Sequence, residues 1–213
     1  YGYSLIAIGL GALFGFDFPK NFDRPYEALN GRDFWRRWHI TLSFWIRDYL
    51  YLPLGGNKNY VRNILIVFTV CGLWHGAGWT FIVWGLYHAL LIILYHTTRK
   101  WWDLAPKLIQ QATTFTLVSF GWTLFLFDFE GIKDFLYSLL GQAKQITNEP
   151  SFDMWLAITI SAFVCFCIRF ENFAEQCEKR IFVSLGQTCG MALLFALTVL
   201  FLDRSQTFIY FRF

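Results

Sequence analysis

Two histidines and a row of arginines are the groups in this chain best suited to chemistry. His75 lies within Gly72-Leu73-Trp74-His75-Gly76-Ala77-Gly78-Trp79, inside a run from Asn63 to Thr98 that holds no Asp, Glu, Lys or Arg. An ionisable ring at bilayer depth costs free energy, so such a residue marks a functional site by default. Imidazole exchanges a proton near neutrality, which makes it a candidate general base. His39 falls upstream, in an arginine- and tryptophan-rich segment from Arg32 to Tyr51. On a helix turning about 100° per residue, Arg32, Arg36, His39, Ser43 and Arg47 fall within about 80° of one another. Phe34, Trp35, Trp38, Leu42, Trp45 and Tyr49 take the other side. Guanidinium groups arrayed this way suit a phosphate or a developing oxyanion. Facing lipid, each would cost roughly 2.5–3.5 kcal/mol, so the row is expected to face a cavity, an interface or partner groups.

The elements that must position these groups follow from run lengths and glycines. Asn63–Thr98 spans 36 residues. As one straight helix it would measure about 54 Å, far beyond a hydrocarbon core of roughly 30 Å. Gly72, Gly76 and Gly78 supply the expected break, leaving a first part, Asn63–Trp74, of only about 18 Å. Backbone that leaves the helix at that depth must be covered by protein or by a water-filled cavity, so His75 is expected beside a cavity. The Arg32–Tyr51 segment is expected to be one helix, ended by the turn residues Pro53-Leu54-Gly55-Gly56-Asn57-Lys58-Asn59. Adjacent Arg47 and Asp48 are not expected to pair across one helix face. Further spans are predicted at Ala112–Phe127, Met154–Ile168 and Val183–Leu202. Arg99–Gln111, Asp128–Asp153 and Arg169–Phe182 connect them, the second with a short interfacial helix at Ile132–Leu140. The first and third connections each hold three Lys/Arg, which places them in the cytoplasm and Asp128–Asp153 outside.

Composition agrees with a membrane setting. Hydrophobic residues make up 56% of the chain, charged residues 15% and aromatics 21%, against roughly 25% charged in a soluble domain. The net charge is +3 with no Lys/Arg tract, so nucleic-acid binding is set aside. Five cysteines form no C-x-x-C pair, so neither a zinc site nor a disulfide framework is expected, only lipid-buried thiols. The first apolar run, Tyr3 to Phe18, falls short of the roughly 20 residues a span needs. The chain is expected to be the C-terminal piece of a longer membrane protein, with residues 1–213 forming a single membrane domain.

Several motifs occur in order: Phe22-Asp23-Arg24-Pro25-Tyr26, Phe34-Trp35-Arg36-Arg37-Trp38-His39-Ile40-Thr41-Leu42-Ser43, Arg47-Asp48-Tyr49-Leu50-Tyr51, Leu54-Gly55-Gly56-Asn57 and Gly72-Leu73-Trp74-His75-Gly76. Together with the closing Phe208-Ile209-Tyr210-Phe211-Arg212-Phe213 they resemble the membrane-bound O-acyltransferase family, and most closely its bacterial alginate O-acetyltransferase-like branch. The likeness is dense over residues 1–96 and loose beyond. It implies an all-α, polytopic transmembrane bundle with re-entrant or interfacial helices around a central tunnel, in a bacterial cytoplasmic (inner) membrane. It also implies acyl transfer to a hydroxyl from a thioester-derived donor, acetyl-CoA or an acyl-carrier thioester, with no bound cofactor or metal. The acceptor would be an extracytoplasmic polysaccharide, or a periplasmic partner protein that acylates it. The family's invariant histidine maps onto His75 and its second polar catalytic position onto His39.

On this reading His75 is the general base and His39 orients the acceptor or polarises the carbonyl. Arg36 or Arg47 offsets oxyanion charge or holds a phosphate-bearing donor, and Ser43 and Trp74 complete the substrate-contacting set. Bland readings stand beside these. His75 could be a packed core ring, and His39 could be solvated on an interfacial helix. Trp35, Trp38, Trp45, Trp74 and Trp79 are most simply anchors, with sugar stacking the alternative for one of them. His88 reads as packing or a secondary hydrogen bond, and His96 as a solvated helix-end residue. The competing function is an acyl-group transporter or scaffold subunit that makes no bond itself.

Overall fold

Long apolar runs punctuated by Gly, Pro and Asn fold here as helices joined by short turns. The computed structural model describes residues 2–141, 155–156 and 158–160, and all regular structure among them is helical. The expected spans Met154–Ile168 and Val183–Leu202, the connection Arg169–Phe182, four of the five cysteines and the closing hexapeptide lie wholly or largely outside the described residues. The chain divides into two compact units, Tyr1–Ile158 and Thr159–Phe213, and everything below concerns the first.

Helix α1 (Gly2–Leu13) is short and exposed. After two small helices, α2 (Gly31–Arg37) and α3 (Ile40–Ile46), come three longer ones: α4 (Tyr60–His75), α5 (Trp79–Trp102) and α6 (Lys107–Leu126). Helix α7 (Phe129–Leu139) begins earlier than Ile132 because Asp128 caps it, its carboxylate accepting from the Gly131 amide at 2.8 Å.

The uncharged run folds as an antiparallel hairpin. Gly76 closes α4 with φ 157° and ψ 162°, a conformation open only to glycine, and α5 starts after Gly78. Gly72 does not break the helix as expected. It lies inside α4, where a Cβ would strike the Phe81 carbonyl, just as a Cβ at Gly85 would strike the Phe68 carbonyl. These two glycines let the backbones of α4 and α5 touch. Helix α4 is about 24 Å long and α5 about 36 Å. Among the described helices α5 alone is long and apolar enough to cross a membrane. Helix α6 packs on its other side, the Tyr87 hydroxyl donating to the Leu117 carbonyl at 2.8 Å. Trp84, Phe34, His88 and Val118, each 1% exposed, mark the core where α2, α5 and α6 meet.

The largest departure from expectation is at Arg32–Tyr51, which is not one helix. Helix α2 stops at Arg37, Trp38 is extended (φ −101°, ψ 126°), and His39 is left-handed (φ 47°, ψ 55°) before α3 begins. A π-helical turn, Arg47–Tyr51, then follows α3. The cause is a competing set of hydrogen bonds from residues 21–23. The Asn21 carbonyl accepts from the Ile40 amide (2.8 Å), and its side-chain oxygen accepts from the amide and hydroxyl of Thr41 (3.1 and 2.9 Å). The Asp23 amide donates to the Arg37 carbonyl (2.9 Å). The single row of polar residues is therefore split: Arg32 and Arg36 lie on α2, His39 at the joint, Ser43 on α3 and Arg47 on the π turn.

Candidate active site

A left-handed non-glycine residue costs of order 1–3 kcal/mol and persists only where its surroundings overdetermine it. His39 is such a residue, fixed by the Asn21 and Asp23 hydrogen bonds on both sides of the joint. Its ring lies 6.1 Å from Phe22, and its Nδ1 is buried without a hydrogen-bond partner among the described residues. Burial holds its pKa below the ordinary imidazole value, so the ring is neutral at physiological pH.

His75 is the last residue of α4, half-buried and boxed by rings. It meets Trp84 edge-on at 5.2 Å, Phe125 at 5.1 Å and Trp74 at 4.8 Å. An aromatic bridge joins the surroundings of the two imidazoles. Trp38, beside His39, lies 4.9 Å from Trp122, and Trp122 lies 6.1 Å from both Trp84 and Phe125, which flank His75. Thus the α2–α3 joint, the end of α4, and the faces of α5 and α6 share one aromatic cluster that connects the neighbourhoods of two histidines remote in sequence.

The arginines gather elsewhere in the same unit. Arg32, Arg36, Ser43 and Arg47 all line a cavity of about 230 Å³ whose depth is apolar. Helix α4 contributes Tyr60, Ile64, Val67, Phe68 and Cys71, so the cavity ends one turn short of His75. His39, His75 and Trp74 do not line it. Trp74 is 57% exposed on the outer side of α4 and contacts His75 alone among the candidate groups. The Ser43 hydroxyl donates to the Trp35 carbonyl at 3.2 Å. Arg47 does pair with Asp48, through Nε (2.7 Å) and Nη2 (3.1 Å). The wider π turn and the freedom of an exposed arginine arm let it fold back on its neighbour. This pairing holds the Asp48 carboxyl below its usual range. Arg32 and Arg36 have neither a carboxylate nor a hydrogen-bond partner among the described residues.

The roles of Asn21, Trp84 and Trp122 were not anticipated, whereas His88 packs and hydrogen-bonds as expected. Asn21 is turn-forming by type, but nothing local says which remote backbone it will bind. Trp84, beside His75, and Trp122, beside Trp38, sit in apolar runs where one aromatic looks like another. His88 is fully buried and accepts a hydrogen bond at Nδ1 from Trp35 Nε1 (3.3 Å), tying α2 to α5. His96, exposed, stacks on Tyr60 at 4.2 Å.

A neutral imidazole at a strained joint, a second at a helix end, and unpaired guanidiniums around a nearby cavity suit proton removal from a hydroxyl beside an anionic co-substrate. A sequence profile described as the membrane-bound O-acyltransferase family matches residues 1–139. The chain belongs to this family. Among its relatives is a peptidoglycan O-acetyltransferase of Helicobacter pylori, 33% identical over 246 aligned residues that cover all of this chain and 46% of that protein. A probable alginate O-acetylase of Azotobacter vinelandii is 47% identical over 131 residues, 58% of this chain and 26% of the relative. A teichoic acid D-alanyltransferase of Bacillus subtilis is 34% identical over 143 residues, 58% of this chain and 36% of the relative. The chain therefore spans less than half the length of these membrane-bound O-acyltransferase relatives.

Proposed function

We propose that this chain is the histidine-bearing part of an O-acyltransferase of the cytoplasmic membrane. It would move an acyl group, acetyl by analogy with the peptidoglycan and alginate relatives, from a thioester to hydroxyls of an extracytoplasmic polysaccharide or of a partner that passes it on. The observation that carries this reading is the run of aromatic contacts from Trp38, next to His39, through Trp122 to the rings around His75, beside a cavity lined by arginines.

In the proposed step His75 takes the proton of the acceptor hydroxyl as its oxygen attacks the thioester carbonyl carbon. The tetrahedral intermediate carries its charge on the former carbonyl oxygen. Collapse breaks the carbon–sulfur bond, and the departing thiolate recovers the proton from His75. His39, neutral and with an uncommitted Nδ1, orients the acceptor or polarises the carbonyl. General-base assistance of this kind is typically worth about 10²–10⁴-fold.

The test uses the full-length protein in membranes, with a labelled thioester and acceptor polymer. His75→Ala is expected to lower transfer by at least about 100-fold while the protein still inserts and melts normally. Transfer at the normal rate by a folded His75→Ala protein would instead make the chain a conduit or scaffold for acyl groups.

A further inference from the structure

Helix α2 cannot hold itself in place. It has seven residues, far fewer than the roughly 12–15 at which an isolated helix becomes even marginal in water, so its position must come from what it touches. Asn21 and Asp23 bind the joint that follows it, and His88 of α5 holds the helix itself. The His88 ring stacks on Phe34 (6.1 Å, 15° between planes) and meets Trp35 edge-on at 5.2 Å. Trp35 Nε1 donates to His88 Nδ1, so this imidazole is neutral and carries its proton on Nε2. That Nε2 has no acceptor among the described residues and lies against Gly121 of α6, where a Cβ would come within 2.8 Å of it.

Packing alone does not call for a histidine here. His88 is 1% exposed, and a leucine or phenylalanine would fill such a site with no buried N–H left unpaired. What the imidazole supplies is an acceptor for Trp35, and α6 carries no side chain at Gly121, which leaves room for the ring.

The hydrogen bonds continue from Trp35 into the joint. The Trp35 carbonyl accepts from the Ser43 hydroxyl at 3.2 Å, and the Ser43 amide donates to the His39 carbonyl at 2.9 Å. His88 is thus linked to His39 through Trp35 and Ser43, by a route separate from the one that Asn21 and Asp23 provide. The indole N–H and the carbonyl of Trp35 are separate groups, so the route carries position and no proton.

We propose that His88 is a positioning residue for His39. By anchoring Trp35 to α5 it fixes the end of α2, and through Ser43 the left-handed turn, so that the His39 ring keeps one direction relative to the hairpin that carries His75. This rests on the acyltransferase reading, in which His39 orients the acceptor or polarises the carbonyl, and adds a residue outside the site that sets how well it does so.

The test uses the full-length protein in membranes. His88→Leu packs but cannot accept a hydrogen bond, whereas the side-chain oxygen of His88→Asn occupies the same branch as Nδ1. His88→Leu is expected to lower kcat about tenfold, the effect of about one hydrogen bond, with KM for the thioester within about twofold of the parent. His88→Asn should recover to within about threefold of the parent. In a His39→Asn background His88→Leu should lower kcat no further, because its effect runs through a ring already removed. Amide exchange across residues 38–43 should quicken about tenfold in His88→Leu and stay slow in His88→Asn. Should His88→Leu fail to insert, Ser43→Ala cuts the same route at its other end, and the same loss, absent in the His39→Asn background, is expected.

An equal loss with and without the His39 imidazole would make His88 a packing residue and overturn the proposal. Unchanged exchange at the joint, or an Asn variant no better than the Leu one, would overturn it too. Exchange that responds in a protein with no His75-dependent transfer would leave this linkage standing and the acyltransferase reading fallen. His75-dependent transfer that His88→Leu leaves at full rate would do the reverse.

Discussion

The α4–α5 hairpin and the α2–α3 joint are built on opposite principles. The hairpin is regular, held by glycines that let two backbones touch and turned by Gly76 and Gly78, where glycine meets no steric cost. The joint is irregular and strained, held by side-chain hydrogen bonds from a distant segment. One carries His75 at the end of an ordinary helix, and the other carries His39 in a conformation that histidine rarely adopts. Rigidity at the first comes from packing, and precision at the second comes from polar contacts. A site assembled from both can place one ring firmly while fixing the direction of the other.

The sharpest way to break the hairpin is at its closest approach. Gly85→Leu would drive a side chain into the Phe68 carbonyl with no room to relax, since the neighbour is backbone and not a flexible side chain. Overpacking typically costs about 1–3 kcal/mol, and a backbone clash belongs at or above the top of that range. The expected result is loss of folded protein from membranes and of all transfer. A Gly85→Leu protein that melts like its parent would show that α4 and α5 do not touch there.

How much was legible in advance follows the same division. Local patterns reveal the break, because an uncharged run too long for one bilayer crossing and rich in glycine must bend or tilt, but they do not say that its second part turns back along the first. Even so, Gly72 was misassigned, since a glycine for turning and a glycine for close packing look alike without the partner backbone. The candidate groups were legible by type: His75 by its cost in lipid, and the arginines by theirs. Their grouping was not. A helical projection put His39 in line with Arg36 and Arg47, but Asn21 breaks that helix. A chain of tryptophans links the surroundings of the two histidines, while the arginines line a separate cavity. Hydrogen bonds between residues some twenty positions apart leave no trace in a periodicity.

The joint is tested by separating its conformation from its chemistry. His39→Asn keeps a residue that tolerates the left-handed region, whereas His39→Val adds a β-branch that does not. Both should lose transfer, by about 100-fold if the imidazole itself is used. In thermal melts the Asn variant should stay close to the parent and the Val variant should fall by about 1–2 kcal/mol. Equal stability of the two would mean that the left-handed conformation is absent. The pH dependence has a definite sign. The His39 pKa is lowered by burial, so the folded state favours the neutral ring. The unfolded chain then binds more protons below about pH 6.5, the ordinary histidine value. The stability conferred by a neutral His39 is complete above that pH and is lost as pH falls toward the folded value. His39→Asn should flatten that part of the stability profile.

The smallest effect is expected at Arg47, and its smallness is informative. Sequence alone ranks it with Arg36 as an anion ligand, and both line the same cavity. Yet Arg47 is exposed and already bound twice by Asp48, and it also sits 4.7 Å from the Phe44 ring. Recruiting it to a phosphate would require breaking that pairing, so it contributes mainly field and little contact. Arg47→Gln should leave the melting temperature unchanged and lower acyl transfer by less than about threefold, against about tenfold for Arg36→Gln. If Arg47→Gln proves as damaging as Arg36→Gln, the bidentate contact with Asp48 is a resting state that opens on binding. The polar surface of the joint would then extend through the π turn, and Arg47 would have to be counted with Arg32 and Arg36 among the groups that meet an anion in the cavity.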